Sequence, residues 1–432
     1  MTKTGDALNY YLIATVFILS FTKGLLAIVG ISETLSQLAI EGLIVILFFR
    51  ALLMIIERNG EIRGPMVMLF FLLLVSIFLS FLLTDVSKIQ FILFVRTFLV
   101  YYLFFYALFN IELTPWQKEQ LRELIIALFI FQIIAAFVKL LLIGTTENFI
   151  GSMSVSEGSI ATIMPLFAIV YLLSYYIVHK RVQTLLWVVL FIGIGLASNK
   201  MGILFYVIIL YFYLIYVHSN FDARFFKNLF IALIYIVILF CAFVSLNPRA
   251  NPERKVGGSV DIAYLINYAQ EYQTLNTRLS QGIEGDGRFD APAVVLKRLR
   301  QSGTSTLLMG FGPGELIKSS FTPYKNPLRD KYHIGYGGRL GFLWSLMQIG
   351  VVGTTLFLLF HLLLYQKIKR LYKRERTNHE YKILLSSFMG LCIIFFIDVL
   401  TYSPSLILNP ALVLVYLYSF FYLYTYHEEA TT

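Results

Sequence analysis

Charge is scarce in this chain: only 14% of its 432 residues are Asp, Glu, Lys or Arg, against 58% hydrophobic. A soluble domain of this length could not hide so much apolar surface. Lipid can solvate it, provided each backbone polar group is satisfied inside a helix. Cysteine is nearly absent, and the two present, Cys241 and Cys392, fall in apolar runs. That excludes a disulfide framework and gives no support to a thiolate metal site. Acidic residues are the scarcer charge, 25 against 35 Lys and Arg, leaving a formal charge of +10. On a soluble protein such an excess would suggest nucleic acid. At a mean hydropathy of +0.75 it points instead to basic loops on one side of a membrane and an anionic ligand, with no nucleic acid. There is no internal repeat and no low-complexity tract. No small-residue cleavage site follows the first apolar run, which is therefore expected to stay as a helix.

What is present is a succession of apolar runs, most near the ~20 residues that cross the hydrocarbon core. They predict an all-α polytopic membrane protein with about twelve spans. These lie at Leu8–Gly30, Leu35–Ile56, Gly64–Thr84, Ile89–Leu108, Leu121–Ile143, Ser159–Val178, Thr184–Ala197, Met201–Val217, Leu229–Ser245, Gly341–Tyr365, Ile383–Leu400 and Ser405–Tyr424. The short seventh and eighth are divided by Ser198-Asn199-Lys200, which with Gly202 reads as a turn near an interface. Three regions follow: helices over 1–246, one large loop over 247–340, and closing helices over 341–432.

Alternate short loops carry the cations: Arg58 and Arg63, Lys118, Lys180 and Arg181, Arg224 and Lys227, then six between Lys367 and Arg376. The opposite short loops hold little beyond Lys88. This bias predicts cytoplasmic termini and an extracytoplasmic 247–340 loop. Within that loop, Ser259–Ser280 has mixed helical periodicity, and a second helix is predicted from Asp290 as N-cap, with Pro292 in its first turn, to a stop at Gly303.

Ionisable residues inside spans are costly and tend to be functional. Lys23, Glu41, Arg96, Lys139 and Asp398 all fall in the outer halves of their spans, which suggests a polar cavity opening outward. The plainer alternative is buried ion pairs, such as Glu41 with Arg96. Of six histidines only His333 lies in the outer loop, where it is either a general base or an exposed residue without a role. Arg288 follows Gly285-Asp286-Gly287 and precedes the Asp290 helix; it either grips a phosphate bidentately or pairs with Asp290. Glu284-Gly285-Asp286 has the look of a paired-acid metal motif, but such pairs are common in glycine-rich turns, and no metal is expected. Gly310-Phe311-Gly312-Pro313-Gly314 is a tight loop whose spacing does not fit a P-loop.

Taken in order, these features resemble the superfamily of bacterial O-antigen polymerases (Wzy-type) and O-antigen ligases, over most of the chain. Four local matches carry the resemblance: Leu196-Ala197-Ser198-Asn199-Lys200-Met201-Gly202, similar to the family's Ser-Arg/Lys-Gly turn; Gly287-Arg288; Met309-Gly310-Phe311-Gly312-Pro313-Gly314, the most specific; and Leu343–Gly353, similar to the entry into the next span. One departure stands out. The family often has a His-Asn pair where this chain has Arg339, with His333 six residues earlier. Either the loop has shifted register and His333 serves, or Arg339 replaces the histidine.

The resemblance implies a GT-C-like fold at the bacterial cytoplasmic (inner) membrane, acting outside on glycans carried by undecaprenyl diphosphate. It implies a surface-polysaccharide (O-antigen or capsule) polymerase that inverts the anomeric centre without metal or other cofactor. Lys200 and Arg288, with Arg339 and Arg96 as weaker additions, would hold the diphosphate, and His333 would take the acceptor proton. Membrane lipid, a chain-length regulator and a flippase are the implied partners. A ligase to lipid A core is the alternative within the superfamily. A lipid-linked oligosaccharide flippase is the alternative of another class.

Overall fold

The computed structural model describes residues 2–143, 151–154, 159–197, 202–218, 251–255, 257–267, 287–317 and 326–431, together with Glu284 and scattered residues between 226 and 245. Among them the protein is a bundle of helices with no strand beyond a single bridge, Glu284 to Ile334. Helices α1 (Thr2–Ile28), α2 (Glu33–Glu57) and α3 (Val67–Leu82) open it. Then come α4 (Lys88–Phe94), α5 (Val100–Asn110), α6 (Pro115–Ile143), α7 (Ile160–His179), α8 (Gln183–Ala197) and α9 (Gly202–His218). The loop region supplies α10 (Ala291–Gln301), α11 (Thr304–Met309) and α12 (Pro327–Asp330). Helices α13 (Gly341–Arg374), α14 (His379–Ile397), α15 (Ser405–Leu408) and α16 (Pro410–Thr431) close the bundle.

Seven helical stretches are long and apolar enough to cross a membrane, and three shorter apolar helices, α3, α8 and α9, accompany them. Many large side chains on these helices face outward, including Phe49, Leu53, Phe71, Phe137 and Leu142. Such an apolar exterior suits lipid and not water. The predicted run Leu229–Ser245 falls mostly outside the described residues. The run Ser405–Tyr424 divides into α15 and α16 at Asn409. The interior is aromatic: Phe94, Phe98, Tyr102, Phe105, Phe357, Phe360, Phe395 and Tyr416 form edge and stacked pairs around buried His361. Tyr102 Oη lies 2.9 Å from His361 Nε2, and Tyr416 Oη 3.3 Å from its Nδ1, so the buried imidazole is satisfied on both nitrogens.

Three departures from regular helix shape one end of the bundle. Between α4 and α5 the chain forms a π-helical turn, Val95–Leu99, and after α14 a second, Asp398–Tyr402. Each carries an ionisable residue, Arg96 and Asp398, and π-turns recur at functional sites. The third is a break inside α13 at Gly350, with φ 65° and ψ −171°. Only glycine adopts that conformation at low cost, and a Cβ there would run into the Leu308 carbonyl. The break frees the Met347 carbonyl, which accepts from Phe311 N–H at 2.6 Å. Ser80 Oγ on α3 donates to Met309 O at 2.5 Å, and Gly314 N–H donates to the fully buried Gln348 Oε1 at 3.0 Å. The Gly310–Gly314 segment is thus a wedge between α3, α4 and the broken helix; a side chain at Gly314 would collide with the Gln90 carbonyl.

Helix α10 packs beside the wedge, with Phe311 against its buried cluster. In α10, Ala291, Val295 and Leu299 recur every fourth residue, forming one apolar stripe. They are fully buried against Leu328, Ile334, Leu343 and Met347. The helix starts and ends where the sequence predicts, with Pro292 in its first turn, but Asp290 makes no side-chain cap bond. Of the periodic segment Ser259–Ser280, residues 262–267 are helical, begun by Asp261 Oδ1 accepting from Tyr264 N–H, and residues 268–280 lie outside the described residues.

Candidate functional site

Arg288 is carried by the turn between Gly287 and α10, closed by Ala291 N–H donating to Gly287 O at 3.1 Å. Its guanidinium lies over the ring of Tyr402, 4.7 Å from the centroid. It does not form an ion pair with Asp290 among the described residues. Stacking of this kind engages the face of the guanidinium and leaves its in-plane N–H groups for an oxyanion. Tyr402 ends the second π-turn. Its hydroxyl is 3.1 Å from Thr162 Oγ1 on α7, and its ring meets Tyr206 of α9 edge-on at 6.2 Å.

Beneath them Asp398 is wholly buried. Its Oδ1 accepts from Ser403 Oγ at 2.9 Å and its Oδ2 from Leu406 N–H at 2.8 Å. Ser403 Oγ is also 2.7 Å from Ser405 Oγ, which donates to Ser159 Oγ at 2.9 Å. Both carboxylate oxygens are engaged, so Asp398 shapes the chain between the π-turn and α15. Arg288 is near enough to act on Asp398 and on Tyr206 electrostatically.

Arg339 ends a 3₁₀ turn, Tyr336–Arg339. Two residues on, Gly341 lies against the same π-turn: a Cβ there would come within 2.9 Å of Ser403 O and 3.0 Å of Val399 Cα. Arg288 and the start of α13, two residues past Arg339, therefore border one segment, 398–403. His333 is exposed, with a left-handed φ of 54°. Its carbonyl accepts from Glu284 N–H at 3.0 Å, and Gly335 N–H donates to Glu284 O at 2.8 Å. This bridge ties the chain at His333 to Glu284, four residues before Arg288.

Arg96 sits apart from this group. Its Nε lies 2.6 Å from Glu41 Oε2, an ion pair whose N–H is not aligned as a hydrogen bond. Gln37 donates to Glu41 Oε1 at 2.8 Å, and buried Lys23 adds its charge nearby. The alternative of a buried Glu41–Arg96 pair is thus what the geometry shows. The two regions touch through α15: Tyr101 Oη, within 3.2 Å of Gln37 Nε2, donates to Leu408 O at 3.3 Å. Of the ionisable residues marked in the spans, Lys23, Glu41 and Arg96 thus come together as partnered groups.

Lys200 lies outside the described residues, as does Asp286 of the acidic pair. Glu284 faces Arg298 at 3.8 Å. Among the described residues no three His, Cys, Asp or Glu side chains converge as metal ligands would. Tyr402, Tyr206 and Thr162 carry no mark in the sequence, since one tyrosine or threonine in an apolar span is ordinary. Only the position of Asp398, flagged as ionisable, pointed to the place. No protein-family model matches the chain, and no curated protein matches it.

Proposed function

We propose that this chain is a surface-polysaccharide polymerase of the Wzy type, with about twelve spans, a GT-C-like fold, cytoplasmic termini and its site on the outer face of a bacterial inner membrane. The observation that supports this best is Arg288, brought by the loop onto Tyr402 at the end of an apolar bundle. In this reading the donor is a glycan on undecaprenyl diphosphate. The acceptor hydroxyl attacks the anomeric carbon, the bond to the diphosphate oxygen breaks, and the acceptor proton passes to His333. Arg288, Arg339 and Lys200 offset the charge that develops on the leaving diphosphate. Arg96, paired with Glu41, supports the bundle instead of the diphosphate.

The test is a transfer assay in nanodiscs with undecaprenyl-diphosphate-linked repeat units. A product ladder that Arg288→Ala abolishes is the expected result. His333→Ala and Arg339→Ala then show which of the two residues is essential. Transfer only to an added lipid A core acceptor would make the protein a ligase. A second reading, a lipid-linked oligosaccharide flippase, draws on the broken helix at Gly350, since discontinuous helices are a transporter feature. Passage of substrate across liposomes without any new glycosidic bond would favour it.

A further inference from the structure

At the end of the bundle remote from Arg288, a cavity of about 500 Å³ opens between the α2–α3 turn, the α5–α6 turn and the end of α16. Its rim carries three cations, Arg58, Arg63 and Lys118, and its apolar wall includes Phe109, Phe421 and Tyr424. A fourth cation, Lys367, stands over the Tyr424 ring at 5.4 Å. The opposing acids are Glu61 and Glu112. They lie 3.7 Å from Arg63 and 3.4 Å from Arg58, and both are more than half exposed. Such loose, solvated pairs contribute little and yield readily to a stronger anion.

The rim is fixed without any ligand. Asn110, fully buried, accepts from Arg63 N–H at 2.9 Å and donates to Arg63 O at 2.9 Å and to Tyr106 O at 2.8 Å. Arg58 Nη1 donates to Asn110 O at 3.2 Å. One residue thus staples the α2–α3 turn to the end of α5, its side chain on the Arg63 backbone and its carbonyl on the Arg58 guanidinium. Beside it Trp116 and Ile62 are exposed, as expected at the level of lipid headgroups.

We infer that this cavity binds a phosphoryl anion, a phosphate monoester or diphosphate, with its apolar attachment against Phe109 and Phe421. The anion has two possible sources, an anionic lipid headgroup of that leaflet or a soluble phosphate compound. The inference stands independently of the transfer activity proposed above.

The test uses the full chain in phosphatidylcholine nanodiscs. Pyrophosphate is titrated by calorimetry, and phosphatidic acid is incorporated and its retention read by native mass spectrometry. Pyrophosphate binding identifies a soluble source; retention of phosphatidic acid alone identifies a lipid one. In either case Arg63→Gln weakens binding about tenfold, as loss of one charge-assisted contact does. Glu112→Gln, which removes a competing carboxylate, tightens it. Because Glu112→Gln leaves Asn110 and both arginines in place, it decides the matter should Arg63→Gln fail to fold. Binding of neither probe, or Glu112→Gln binding no tighter than wild type, overturns the inference.

Discussion

The two π-turns sit at the same end of the bundle, and each brings an ionisable residue into an apolar setting, yet they satisfy it differently. Arg96 in Val95–Leu99 finds its counter-charge on another helix, Glu41 of α2. Asp398 in Asp398–Tyr402 finds its partners within eight residues of itself, Ser403 and Leu406. The first is a tertiary clamp between helices, and removing either side strands a charge. The second is a local device that sets the course of the chain into α15, and it holds Tyr402 where Arg288 can lie on it. The clamp stabilises; the local device presents a surface.

That difference ranks the expected effects of substitution. Arg96→Ala leaves Glu41 buried with only Lys23 and Gln37 to answer it, and is expected to cost roughly 3 kcal/mol, the low end for breaking a buried pair. Thermal unfolding in detergent measures it, and a loss no larger than that of Asp398→Ala would break the comparison. Asp398→Ala strands the Leu406 N–H and leaves the Ser403 hydroxyl only its Ser405 partner, at about 1–3 kcal/mol. It should also disturb Arg288 and lower transfer activity, whereas Arg96→Ala should not lower activity in the fraction that stays folded. Arg288→Ala removes one half-buried cation–π contact, worth about 0.5–1 kcal/mol, yet should abolish the proposed transfer; transfer by the Arg288→Ala protein would remove the main support for the proposed site. Tyr402→Phe keeps the ring under Arg288 and loses the hydroxyl's contact with Thr162, about 0.5–1.5 kcal/mol. Its activity should stay near wild type, while Tyr402→Ala should not.

The sequence made the helices legible because hydropathy reports what faces lipid, and run ends such as Glu57, His179 and Ile143 fall within a residue or two of the predicted ones. The irregularities were not legible. Nothing in Val95–Leu99 or Asp398–Tyr402 distinguishes a π-turn from α-helix, because that choice depends on partners far along the chain. Gly350 is one glycine among 28, and its break follows from the arrival of Phe311 and Ser80, which no local pattern announces. The glycine-rich segment was legible as a tight loop, but its work as a wedge against Gln90 and Gln348 was not. Of the candidate residues, Arg288 was marked by its place between a flexible turn and a helix start. The ring beneath it was hidden among 28 tyrosines.

The wedge also sets an order of events in biogenesis. The carbonyl left open by the break at Gly350 is answered by Phe311, and the neighbouring contacts come from Ser80 and Gly314, all translated earlier. When α13 leaves the ribosome, the groups that complete it already exist, on α3 and on the loop segment ahead of it. A span with an open backbone group is poorly tolerated in hydrocarbon, so α13 reaches its final depth only as it docks. Membrane insertion of this helix and closure of the loop are then a single step.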